Sequence, residues 1–174
     1  MFHLINKIIF LIKKPKVVVV AGQNRQATAG AIFNVLKGRF KIGRDVFVFQ
    51  AEPSASEVEK FRYILKHSSL PIMVVTVLDP KDALEVAKLA EMIPNHGYLV
   101  LDFDDEQARS VKNGPTFTFG FQKGADFQAT DIKFGEQGGA NGETNFKINY
   151  KGNIVPVWLA QGAGKEKIHS SLAA

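Results

Sequence analysis

The chain has 174 residues, of which 45% are hydrophobic and 22% charged, with a formal net charge of +5. That is ordinary globular composition, enough for one domain with a core of useful size, and it argues against disorder for most of the chain. The absence of cysteine excludes a disulfide scaffold and a thiolate metal site, and fits a reducing compartment.

Residues 1–16 (MFHLINKIIFLIKKPK) place Phe2, Ile5, Ile8, Ile9 and Ile12 at helix-like intervals, interrupted by Lys7 and followed by Lys13, Lys14 and Lys16. The uncharged stretch falls far short of the ~20 residues of a membrane span. No small-residue cleavage site follows it, which argues against a signal peptide. Two readings stay open for the helix expected over residues 1–15. It packs on the domain or on a neighbour, or it lies as a basic amphipathic helix on the inner face of a membrane. Elsewhere the basic residues are scattered, and their surplus reads as solubility or as weak attraction to anionic lipid or nucleotide phosphates.

KVVVVA (Lys16–Ala21) is an apolar, β-branched run of the kind buried on both faces of a parallel sheet. A glycine-containing turn leads into helical spacing over residues 27–36. VFVFQ (Val46–Gln50) reads as a second strand. Ser54 or Ser56 can cap a helix reaching about His67, with Val58, Phe61, Ile64 and Leu65 on one face. Pro71 opens a third strand over residues 72–78. Asp79 at the N-cap and Pro80 in the first turn start a helix that runs through Ala83, Val86, Ala87 and Ala90. Asn95-His96-Gly97 turns the chain into the strand Tyr98–Asp102, after which Asp104 caps a short helix through Val111. The alternation predicts a mostly parallel sheet with helices on both faces over residues 16–114.

After Pro115 the rhythm changes. Strands are expected at residues 116–121, Phe127–Phe134, 145–150 and 154–159, the last two joined by a tight turn at Lys151-Gly152-Asn153. Residues 115–160 thus read as a small antiparallel β lobe, with a glycine-rich mobile loop at 135–142. Residues 161–174 read as the start of a terminal helix.

The first strand and its turn, VVVVAGQNRQATAGAIFNVLKGRFKIG, resemble the start of the central, ATP-binding domain of the Mur-type amide ligases, especially the branch that adds D-alanyl-D-alanine to a UDP-muramoyl peptide. Within it, LKGRFKIG matches the tail of the family's first helix. VVTVLDP (74–80) is similar to the strand before the family's Gly-x-x-His loop. EVAKLAEMIPNHGYLVLDFDDEQARSV (85–111) is similar to its helix, turn and Asn-x-Asp-Asp strand end, and FTFGFQKGADFQATDIKF (117–134) to the segment beyond. GKEKIHSSLAA (164–174) resembles its Gly-x-His-Asn segment and the helix that follows. The ordered set covers nearly the whole chain. Residues 16–174 are thereby identified as a Mur-type central domain with an α/β, P-loop-like fold. The resemblance implies ATP and magnesium as cofactors, a cytoplasmic location and a link to peptidoglycan precursor synthesis.

A phosphate loop works through consecutive backbone N–H groups around the phosphates, a lysine that neutralises charge, and a hydroxyl that holds magnesium. The resemblance puts Gly22, Asn24, Arg25, Gln26 and Thr28 at the corresponding turn. Counting forward from Gly22 places Gln26 at the lysine position and Ala27 at the threonine position. Counting back from Leu36 places Arg25 at the lysine position. Neither register contains Gly-Lys-Thr. A plain strand-to-helix turn and a weak nucleotide contact both stay open.

The family's metal ligands fare similarly. Phe49 or Gln50 stands at its glutamate position, with Glu52 nearby, and the histidine loop is shortened to leave Asp79, which suits capping better. No metal site is expected. Lys88 matches the lysine that becomes carbamylated and helps hold the family's second magnesium. It is the single catalytic candidate, although an exposed helix lysine is ordinarily just solvated. Asp102 stands where the family has an asparagine near the adenine, and Asp104 and Asp105 match its aspartate pair. Glu166 stands at its histidine and Ser170 at its asparagine. His3, His67, His96 and His169 show no metal spacing. The many phenylalanines alternate as in a sheet core, not as a stacking platform, so no nucleic-acid partner is expected.

Three functions remain open on this reading: a Mur-type domain with impaired catalysis, an ATP-dependent ligase completed by other chains, and a membrane-surface interaction module using residues 1–16. A protein partner is not legible.

Overall fold

The computed structural model describes residues 10–134, 144–159 and 164–174. The amphipathic segment expected at the N-terminus lies outside the described residues except for its end. There residues 10–13 are helical, with Phe10 buried against Phe47 at a ring separation of 5.4 Å. The glycine-rich stretch at 135–142 also lies outside them. Among the described residues no helix is long and apolar enough to cross a membrane.

Five parallel strands form the body of the domain: β1 (Lys16–Ala21), β2 (Val46–Gln50), β3 (Leu70–Val75), β4 (Tyr98–Asp102) and β5 (Thr116–Gly120). Between and after them run α1 (Arg25–Leu36), α2 (Ala55–Lys66), α3 (Ala83–Glu91), α4 (Glu106–Ser110) and α5 (Lys165–Leu172). β6 (Phe127–Phe134), β7 (Thr144–Tyr150) and β8 (Asn153–Leu159) complete one eight-stranded sheet in the order β2-β1-β3-β4-β5-β6-β7-β8.

Alternation along β1 explains the layers. Val17, Val19 and Ala21 face a core shared with Val58, Phe61, Ile64 and Leu65 of α2 and with Val86, Leu89 and Ala90 of α3. Val18 and Val20 face the opposite core, with Ala29 and Ile32 of α1, Phe119 of β5, and Ile168 and Leu172 of α5. Each fully buried Val, Leu or Phe contributes about 1.5–3 kcal/mol, so this two-sided burial outweighs exposed pairs such as Lys60–Glu57, worth below about 1 kcal/mol.

The antiparallel strands expected in the C-terminal part are present as β6–β8, and they continue the same sheet. β6 joins β5 in parallel over only two pairs, Phe119 with Phe127 and Gly120 with Gln128. A short link suffices because the chain backs up by about one residue instead of crossing the sheet. β6 then runs on past the end of β5, paired with β7, and β7 with β8. At about 3.3 Å per residue, the extension rises roughly 20 Å beyond the carboxyl ends of the parallel strands.

Three boundary differences have a side-chain cause. β3 ends at Val75, because Thr76 leaves the sheet to bond the turn after β1. α3 begins at Ala83 instead of at Pro80, since the Asp79 carboxylate accepts from the Lys81 backbone N–H at 3.1 Å and closes its own turn. That N–H, followed by the Lys81 ammonium, holds the Asp79 carboxyl below the usual carboxylate range. Asp105, not Asp104, caps α4, accepting from the Ala108 N–H at 2.7 Å.

Candidate functional site

Strand order reverses between β1 and β3, and in open α/β sheets the carboxyl side of such a switch point is where ligands bind. Here the two loops that flank the crevice are bonded to each other. Gln23 N–H donates to Val77 O at 2.8 Å and Thr76 N–H to Ala21 O at 3.0 Å. The Thr76 hydroxyl also reaches Ala21 O, at 3.1 Å, and Gln23 O. Gly22, at φ 102°, makes this closure possible: a Cβ there would lie 2.6 Å from Thr76 Oγ1 and 2.8 Å from Val77 O.

Asn24 follows in the left-handed region, at φ 58°, as the N-cap of α1, without a side-chain cap bond. The Arg25 guanidinium folds back, donating to Gly22 O at 3.4 Å and lying 3.6 Å from a Glu52 carboxylate oxygen. With Gln26, Ala27 and Gln50, these residues line an open cavity of about 500 Å³. Thr28 faces elsewhere. Its buried hydroxyl donates to Ser170 Oγ at 3.2 Å and ties α1 to α5. Of the nucleotide-binding candidates, Gly22, Asn24, Arg25 and Gln26 therefore share one loop, whereas Thr28 lies inside a helix contact.

Lys88 is elsewhere again. Its ammonium pairs with Glu85 at 2.7 Å in the groove between α2 and α3, near Arg62 and Pro94. The structure does not bring it to the loop after β1 or to Asp102. Glu166, at the opening of α5, is exposed.

The turn after β4 has the opposite character. Asp102 is wholly buried. Its Oδ1 accepts from the Asp104 N–H at 2.9 Å. Its Oδ2 has no aligned hydrogen bond, yet lies 2.9 Å from His169 Nε2. Asp104 spans to the far side of β5, where its two oxygens accept from Phe121 N–H at 2.7 Å and Gln122 N–H at 2.9 Å. Gly120 permits this approach, since a Cβ there would stand 2.7 Å from the Asp104 carboxylate. His169 projects from α5 against the rings of Phe119 and Phe121, with centroids 4.9 and 5.9 Å away. One ligand atom from each of Asp102, Asp104 and His169 falls within 4.8 Å of the others. Sequence spacing hides this trio, because α5 returns to β4 only through the fold.

No protein-family model matches the chain. The UDP-N-acetylmuramate–L-alanine ligase of Caldanaerobacter subterraneus subsp. tengcongensis is 24% identical over 168 residues, covering 88% of this chain and 34% of the relative. The same ligase of Desulfitobacterium hafniense is 23% identical over 187 residues, covering 94% and 40%. The crystal structure of the MurF ligase of Thermotoga maritima in complex with ADP superposes with a TM-score of 0.77 at 14% identity, over 96% of this chain and 45% of that one. The chain is similar in sequence to Mur ligases and shares the fold of part of a MurF ligase. The chain spans between a third and two-fifths of the length of the curated relatives it matches.

Proposed function

We propose that this Mur-type domain serves peptidoglycan precursor synthesis with impaired catalysis, retaining at most a weak nucleotide contact at the loop after β1. The closure of the switch point carries the reading. In the first loop, the Gln23 N–H is already spent on Val77 O and the one basic group, Arg25, is folded onto Gly22 O and Glu52. The Thr28 hydroxyl is bonded to Ser170, and that of Thr76 to Ala21 O and Gln23 O. A triphosphate–magnesium cradle needs free amides, a forward-pointing ammonium and an accessible hydroxyl. The residues present do not fit that group, so no phosphoryl-transfer step is assigned to them. The Thermotoga ligase, which carries ADP on the same fold, shows why a residual nucleotide contact is the natural thing to test.

Isothermal titration with ATP and magnesium chloride decides it. The expected result is no binding tighter than about 1 mM, or about −4 kcal/mol. Tight, magnesium-dependent binding would overturn the proposal. Rebuilding Gly-Lys-Thr as R25G/Q26K/A27T is expected to raise the affinity. An unchanged weak response there would mean that the closed crevice, more than the missing lysine, blocks the phosphates.

A further inference from the structure

The geometry points to a divalent transition-metal site formed by Asp102, Asp104 and His169 at the carboxyl end of β4, separate from the loop after β1 and independent of whether nucleotide binds there. Three observations combine. First, Asp102 is fully buried, and its Oδ2 is a shielded carboxylate oxygen with no hydrogen bond. A buried charge left in that state is costly unless a cation meets it. Second, that oxygen and His169 Nε2 stand 2.9 Å apart with no aligned N–H between them. With the ring proton on Nδ1, the ring nitrogen and the carboxylate oxygen each have a lone pair to offer a cation. Two ligands bound in cis to an ion at about 2.1 Å lie about 3.0 Å apart, which matches this spacing.

Third, Asp104 is already aimed. Each of its oxygens accepts one backbone N–H, from Phe121 or Gln122, and each keeps a further lone pair. Those N–H groups act as the outer supports that orient metal-binding carboxylates. The ligand atoms lie within 4.8 Å of one another, whereas ligands of one ion span at most about 4.2 Å. Side-chain shifts of a fraction of an ångström close the difference. Phe119 and Phe121 flank the imidazole and keep the site dry on that side, while His169 keeps a small exposed fraction of 13% as a path for entry. Two carboxylates and an imidazole suit manganese(II) or zinc(II) better than magnesium, which favours all-oxygen shells. Bound there, the ion pins α5 to the end of β4.

The test uses the full chain and manganese(II) as the probe, with no nucleotide present. Calorimetry is expected to show a single equivalent bound, with a matching rise in melting temperature that a chelator reverses. Electron spin-echo spectroscopy is expected to show hyperfine coupling to an imidazole nitrogen. Asp102→Asn keeps the shape of the side chain and His169→Gln keeps a polar group. Both are expected to weaken binding by more than about tenfold, and His169→Gln to erase the nitrogen coupling. Circular dichroism of the two variants shows whether they remain folded. If either unfolds, the nitrogen coupling of the unaltered chain alone decides. Absence of stoichiometric binding, affinity unchanged in folded variants, or bound manganese without nitrogen coupling would each overturn the assignment and leave Asp102 and His169 as a plain ion pair.

Discussion

The turns after β1 and β4 sit on the same edge of one parallel sheet, two strands apart, yet they handle polar groups in opposite ways. After β1 the side chains that could do chemistry are exposed or folded back, and it is the backbone that is occupied, bonded across to Thr76 and Val77. After β4 the carboxylates themselves are buried or half-buried, and backbone N–H groups converge on them. The first arrangement seals a crevice. The second concentrates negative charge where little water can screen it. Chemistry at this edge therefore depends on which groups the fold leaves over, more than on which residue types stand there.

The contrast can be broken in order of expected effect. Asp104→Ala removes the acceptor for two backbone N–H groups and is expected to cost about 3 kcal/mol, read from urea unfolding. A loss near zero would mean that water replaces the carboxylate and that the turn after β4 is not held by it. Gly22→Ala forces a Cβ against Thr76 and Val77 at positive φ, and is expected to cost about 2 kcal/mol. If the variant is as stable as the parent, the loop opens easily and the seal over the switch point is weak. Lys88→Ala removes only a half-exposed pair with Glu85, so its expected cost is below about 0.5 kcal/mol. A larger loss in the same unfolding series would assign Lys88 a partner beyond Glu85 and reopen its role.

Much of the fold was legible because burial and periodicity are local. The β-branched run of β1, buried on both faces, announces itself as a parallel strand, and Ser54 stands at the N-cap position of α2, although its hydroxyl meets Ser56 and makes no cap bond. Boundaries failed where a side chain chose a long-range or competing partner. Asp79 closed its own turn, Asp104 reached across to β5, and Thr76 left β3 for Ala21 O. The candidate site was legible only as a loop. The resemblance puts Gln26 or Arg25, depending on register, where the ligases carry a lysine, but nothing in their spacing says that Arg25 folds onto Gly22 O.

By itself the amino-acid order determined the alternation of strands and helices, the two-sided core, the resemblance to Mur ligases and the lack of Gly-Lys-Thr after β1, since each is written in neighbouring residues. Tertiary structure alone decided that β6 to β8 extend the parallel sheet, that Thr28 is spent on Ser170, and that His169 meets Asp102. The first depends on the pairing of β6 with β5 and the other two on how α5 packs back across the sheet, and no local pattern records a contact made by distant segments.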